Sequence, residues 1–186
     1  MFYKIKRILK KILACIGLYH PSLGIKISSK AKATMVLTHK RPDVRIFVET
    51  GTEYGTMIDM VGNSFEKIYT IELNEELYQK ACEHYRGQEK ITLLHGDSAI
   101  ELRNALQQFS EPAVFWLDAH PPGDINADNT PIIKELETIF SHSVKNHVIL
   151  VDDARKFDIA TIAKMKHLAK MNDYRCSIQN GIFLFE

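Results

Sequence analysis

The sequence predicts an α/β protein built on a doubly wound, mainly parallel sheet that closes with a C-terminal antiparallel hairpin. Three observations carry that prediction. From Arg45 onward, short apolar β-prone runs alternate with helical patterns, and such alternation implies right-handed crossovers between parallel strands. Each of the first five strand-like runs ends in an acid: Glu49, Glu72, Asp97, Asp118 and the pair Asp152-Asp153. The last stretch, Tyr174 to Glu186, is two strand-like runs divided by Asn180-Gly181, the strongest short hairpin signal.

At 186 residues, 45% hydrophobic and 25% charged, the chain suits one soluble globular domain with an appendage. Residues 1–45 hold eleven Lys/Arg and one acid, whereas the remaining 141 residues hold 13 basic and 22 acidic groups. A basic leader joined to an acidic body divides the chain into a lead-in, residues 1–44, and a ligand-binding body, residues 45–186. The acidity of the body argues against a nucleic-acid partner. Cys15, Cys82 and Cys176 are far apart and read as reduced thiols of a cytoplasmic protein.

Taken in order, Met1 to Leu18 fits an amphipathic helix. Ile5, Ile8, Leu9, Ile12, Leu13 and Ile16 share one face, and Lys4, Lys6, Arg7, Lys10 and Lys11 the other. Its apolar part is too short to span a bilayer. It either lies on an anionic membrane at the inner face or packs on its own domain. Ser28 to Thr38 reads as a short helix covering one end of the ligand site.

The body then opens with a strand over 45–50 and a helix over 56–64. A second strand, 67–73, precedes a helix capped by Asn74. A third strand, 91–95, is closed by Gly96-Asp97-Ser98 and followed by a helix over 99–109. Strand four, 113–117, ends at Asp118-Ala119-His120. A Pro/Gly/Asp/Asn-rich loop over 121–130, flanked by Asp124, Asp128 and Glu135, which read as solvated acids, leads to a helix opened by Pro131. Strand five, 147–151, is followed by a helix over 159–171. Met57, Met60, Tyr54 and Trp116 read as ordinary core, and His84, His142 and His167 as helix-surface residues.

The chemistry collects where the strands end, since ligands of such sheets sit beyond the carboxyl ends. Turn propensity explains one or two acids there, not five of five. In Glu49-Thr50-Gly51-Thr52-Glu53-Tyr54-Gly55, Gly51 frees the backbone and Gly55 lets a helix start close to the strand. Exposed N–H groups at that helix start suit an anionic or carboxylate-bearing ligand. Glu72 lies 23 positions after Glu49, near the spacing of about 20 at which an acid meets ribose hydroxyls. Glu53 stands where a diphosphate would approach; it repels a diphosphate but tolerates a cationic sulfonium.

Over roughly residues 45–186 the sequence therefore resembles the class I S-adenosylmethionine-dependent methyltransferases. Glu49-x-Gly51-x-x-x-Gly55 matches their first motif, with Glu53 replacing the central glycine; Glu72 matches the ribose acid, and Gly96-Asp97-Ser98 the segment that meets adenine. The resemblance implies a seven-stranded sheet with S-adenosylmethionine held by Glu49, Gly51, Thr52, Gly55, Glu72, Asp97 and Ser98. More narrowly, Phe47-Val48-Glu49-Thr50-Gly51-Thr52, Phe115-Trp116-Leu117-Asp118-Ala119-His120 and Asp152-Asp153-Ala154-Arg155 resemble a bacterial methyltransferase-like group associated with glycan and natural-product genes.

Similarity to catechol- and macrolide-sugar-type O-methyltransferases further implies Mg²⁺ on Asp118, Asp152 and Asp153, with three oxygen ligands leaving room for water and acceptor. The metal would lower the pKa of an acceptor hydroxyl on a sugar or other small molecule, with Asp118 and His120 as catalytic residues and His120 the candidate general base. The lysine those enzymes carry after the strand-four acid is absent; Pro121 and Pro122 stand there. A competing account pairs the acids with Arg155 or Lys156 and needs no metal. Two other functions stay open: a non-catalytic cofactor-binding module, and a metal-dependent enzyme acting on a phosphosugar.

Overall fold

Alternation along the central strands decides how this chain is layered. In β1 (Ile46–Thr50) and β4 (Ala113–Leu117), Ile46, Val48, Phe115 and Leu117 join one apolar cluster, while Phe47, Val114 and Trp116 join another. Every residue of both strands is buried, as expected of parallel strands covered on both faces. The structure is a computed structural model that describes residues 26–119 and 130–186. The leader helix expected over 1–18, the acids Asp124 and Asp128, and His120 lie outside the described residues.

The sheet has seven strands in the order β3-β2-β1-β4-β5-β7-β6. β2 (Lys67–Glu72), β3 (Ile91–His95) and β5 (Val148–Val151) continue the parallel part, and β7 (Ile182–Phe185) runs antiparallel to β5 and to β6 (Cys176–Gln179). The hairpin turn has φ of 51° at Asn180 and 79° at Gly181, the pair of left-handed residues that matches strand twist. Among the described residues, no helix is long and apolar enough to cross a membrane.

One face of the sheet carries α1 (Ser29–His39), α2 (Thr56–Val61) and α3 (Glu75–His84); the other carries α4 (Ser98–Leu106), α5 (Ile132–Ser141) and α6 (Ile159–Met171). The Asn74 cap read from the sequence is in place, accepting from the Leu77 amide at 3.0 Å; the structure adds Ser28 and Asp158 as caps of α1 and α6. α1 buries Ala33, Met35 and Val36 in the cluster that holds Met57, Ile58 and Trp116, so this part of the lead-in packs on the sheet.

Two expectations need correcting. Tyr54 is 71% and Met60 44% exposed, so only Met57 and Trp116 of that quartet are core. His142 is not a surface residue of a helix but its C-cap, stacked on buried His147; the helix ends there, so its side chain turns in toward the start of β5.

Candidate functional site

The parallel ladder continues past the strands and aligns their ends. The amides of Gly51, Asp118, Asp152 and Gly96 donate to Ile71, Thr50, Leu117 and Glu72 carbonyls at 2.9, 3.0, 3.1 and 3.0 Å. Gly51, Asp118 and Asp152 are thereby fixed side by side on adjacent strands. Gly51 has φ of 84°, and a β-carbon there would lie 2.8 Å from the Asp118 carbonyl oxygen. Only glycine meets both conditions. A hollow of about 400 Å³ lined by Arg41, Asp43, Asn146, His147 and Glu186 lies at the opposite, amino-terminal edge; the carboxyl edge is where sheets of this topology place ligands.

Alternation puts Glu49, Asp118 and Asp152 on one face of the sheet, that of Phe47, Trp116 and Leu150. Buried Glu49 accepts from the Thr70 hydroxyl at 2.9 Å, and Thr70 meets the Thr52 hydroxyl at 2.6 Å. Burial drives the Glu49 carboxyl well above its ordinary pKa; the Thr70 hydrogen bond opposes this, and the charges of Asp118 and Glu72 add to it. The Thr52 hydroxyl is thus committed to β2.

Glu72 closes β2 and clamps the turn. Its two carboxylate oxygens accept from the Glu53 and Asn74 amides, each at 2.8 Å. Gly51 and Thr52 both donate to the Ile71 carbonyl, Gly55 donates to the Thr52 carbonyl, and Glu53 donates to Glu72. These four turn amides are spent inside the protein, whereas α2 itself starts without a side-chain cap.

The third strand end brings Asp97, which caps α4 by accepting from the Ala99 amide at 2.9 Å, and buried Ser98. Glu135 of α5 is not the solvated acid the sequence suggests: it enters from the other face beside the Thr50 and Ser98 hydroxyls. It is 1% exposed, and its Oε1, like the Thr50 hydroxyl, lacks a well-formed hydrogen bond. Burial pushes its carboxyl up to about 7. Tyr54, Leu73 and Ile100, each just beyond one of the first three strands, are 71%, 70% and 65% exposed. Apolar side chains left out of the core at one edge offer a surface to a flat apolar group.

The acid trio does not converge as the metal expectation required. Asp118 and Asp152 face each other on the α1 side. Burial, then the Asp152 charge, push the Asp118 carboxyl up to about 8, with Lys32 opposing. Lys32, from α1, forms an ion pair with Asp152 and lies 5.9 Å from the Trp116 ring centroid. Burial disfavours its charge, but Asp152, Asp118 and Asp153 outweigh that and raise its pKa. Asp153 leaves β5 with φ of 52° and turns to Arg155, at 3.1 Å, and Lys156. Burial works against its charge, yet those cations hold its pKa below the ordinary range. Among the described residues, no group of three or more His, Cys, Asp and Glu side chains is placed to hold a metal ion. A divalent ion on this trio would have to displace Lys32 and detach Asp153 from two cations, so the residues do not fit it.

No family model and no curated sequence matches the chain. Solved structures do. An O-methyltransferase from Bacillus cereus in complex with SAH superposes with a TM-score of 0.61 at 15% identity, covering 97% of this chain and 88% of that one. The chain has the class I S-adenosylmethionine-dependent methyltransferase fold. A precorrin-6y C5,15-methyltransferase from Geobacter metallireducens gives 0.58 at 10% identity, covering 87% and 89%. The chain spans 51% of the length of an amino pentose methyltransferase from Micromonospora echinaspora, at 16% identity, 68% coverage of this chain and a TM-score of 0.49. Within this methyltransferase fold, the sites expected for the cofactor, Glu49, Gly51, Thr52, Gly55, Glu72, Asp97 and Ser98, all fall at the ends of β1, β2 and β3.

Proposed function

We propose that the protein is an S-adenosylmethionine-dependent methyltransferase acting on an oxygen of a small hydroxylated acceptor such as a sugar. The observation that carries the cofactor reading is the Glu72 clamp. A carboxylate at the end of β2 stands over a glycine turn in which the Gly51, Thr52, Glu53 and Gly55 amides are consumed internally, an edge better suited to ribose hydroxyls than to a diphosphate. Tyr54, Leu73 and Ile100 would flank the base.

When bound, the cofactor supplies an already activated methyl group, so the protein has chiefly to align the acceptor and remove one proton. The Gly51 turn and Glu72 would fix the donor. Asp118, beside Gly51 and facing Asp152, would take the acceptor's proton, with His120 as the further candidate two residues on. The acidic edge excludes a polyanionic acceptor by repulsion, and this supports a neutral hydroxylated one.

The test is calorimetric titration with S-adenosylhomocysteine, alongside the mass of any small molecule that copurifies. Binding of S-adenosylhomocysteine, and not of NAD, is the expected result. A protein that binds NAD or a nucleotide sugar instead is not a methyltransferase.

A further inference from the structure

The acids at the ends of β4 and β5 already have a cation, and it comes from a segment outside the sheet. Lys32 sits on α1, 120 positions before Asp152, yet its side chain reaches the Asp152 carboxylate, which is 3% exposed. The Lys32 side chain is itself 21% exposed, so it is not sealed in the core. An ammonium has three N–H donors. One bond to Asp152 leaves donors for Asp118, whose charge also acts on Lys32, and for a ligand at the open side.

The geometry separates the three acids before any ligand arrives. Strand alternation sends Asp118 and Asp152 to the face on which α1 packs. Asp153, the next residue, takes a left-handed conformation and is held by Arg155 and Lys156. Among the described residues this leaves Asp118 and Asp152 with the Lys32 ammonium, while Arg155 and Lys156 hold the third acid. Like charges at such range disfavour adding a divalent ion.

We infer that Lys32 is the resident cation of this edge, standing where related O-methyltransferases place a divalent metal, and that this site excludes divalent ions. The inference deepens the methyltransferase reading and rests on it for the identity of the edge as the acceptor side. An acceptor oxygen there meets an ammonium that donates a hydrogen bond, not a Lewis acid. α1, expected only to cover the site, then supplies one of its working groups.

Mn²⁺ is the probe, followed by electron paramagnetic resonance on the full chain, with and without S-adenosylhomocysteine. The wild type is expected to show no saturable Mn²⁺ binding. Lys32→Met leaves the Asp118–Asp152 pair without its cation and is expected to gain a Mn²⁺ site, lost again in Lys32→Met/Asp152→Asn. Wild-type Mn²⁺ binding that Asp152→Asn abolishes overturns the inference, whatever the variants do. It is equally overturned if Lys32→Met, folded by circular dichroism, binds no Mn²⁺. Should Lys32→Met fail to fold, Lys32→Gln takes its place with the same two outcomes. Failure of the methyltransferase reading would appear separately, as absent S-adenosylhomocysteine binding by the wild type, and the Mn²⁺ results would still decide what fills the acidic edge.

Discussion

The Tyr85 hydroxyl lies 2.9 Å from the carbonyl oxygen of Gly55, in the space that a β-carbon on Gly55 would take. That carbon would fall 2.0 Å from the hydroxyl oxygen, at a residue with φ of 74°. The end of α3 thus buttresses the start of α2, and the first motif's second glycine is required by a tyrosine thirty positions on. Gly55→Ala is expected to destabilise the fold by about 1–3 kcal/mol, the range for forcing extra volume into a packed site. Tyr85→Phe removes the clashing oxygen along with a hydrogen bond worth about 1 kcal/mol. Urea unfolding of the four-member cycle should show Gly55→Ala costing less in the Tyr85→Phe background; strictly additive costs would mean the two residues are not in contact.

Glu72→Ala should weaken S-adenosylhomocysteine binding by about 1–3 kcal/mol, the scale of losing charged hydrogen bonds. It also strips the Glu53 and Asn74 amides of their acceptor, so the turn should loosen with the site. Calorimetry returning wild-type affinity from a folded variant would take Glu72 out of the cofactor site.

Buried His147 gives the fold an acid-side weakness. Its Nδ1 accepts from the Ala113 amide at 3.0 Å and its Nε2 meets His142 at 3.0 Å. Burial, reinforced by the charges of His142, Lys145 and Arg41, lowers its pKa to about 4 from an ordinary 6.5. Between those values the unfolded chain takes up a proton that the folded chain refuses. Stability contributed by this residue is therefore present above pH ~6.5 and declines as pH falls toward ~4, by up to about 3 kcal/mol. Asp118 and Glu49, raised in the folded state, act in the opposite direction. The wild-type curve is accordingly compared with His147→Gln, which should lose the His147 component; parallel curves for the two proteins would rule it out.

Glu135 carries the opposite sign. With its folded pKa near 7 and an ordinary value of 4.5, the folded state holds a proton that the unfolded chain releases. Stability falls as pH rises through that window and levels off above it. Glu135→Gln abolishes the titration while keeping the shape, and should be more stable than wild type at pH ~8 by up to about 3 kcal/mol, but not at pH ~5. An advantage that does not change with pH would show that Glu135 is charged in the fold.

β1, β2, β4 and β5 could be read from their apolar runs because burial on both faces leaves a continuous local signature; β3, half-buried at the edge, was legible from its apolar β-prone residues alone. The Asn74 cap and the Asn180-Gly181 turn were legible for a similar reason: each acts within a few residues of itself. What failed were inferences about environment. Tyr54 and Met60 look like core by spacing, yet Tyr54 stands exposed in the turn after β1 and Met60 on the exposed side of α2. Glu135 looks like a solvated acid beside the long loop until the packing of α5 on α4 buries it beside Thr50 and Ser98.

The acids at the strand ends show where the division runs. Sequence alone determined that Glu49, Glu72, Asp97, Asp118, Asp152 and Asp153 reach one edge, because strand direction and the period of two are local properties of the chain. Which of them share a partner was decided only by the tertiary structure. The docking of α1 on the β4–β5 face delivers Lys32 to Asp152, and the left-handed turn at Asp153 hands that acid to Arg155 and Lys156. A charge's partner depends on what arrives in space within a few ångströms, and residues 120 positions apart carry no local record of it.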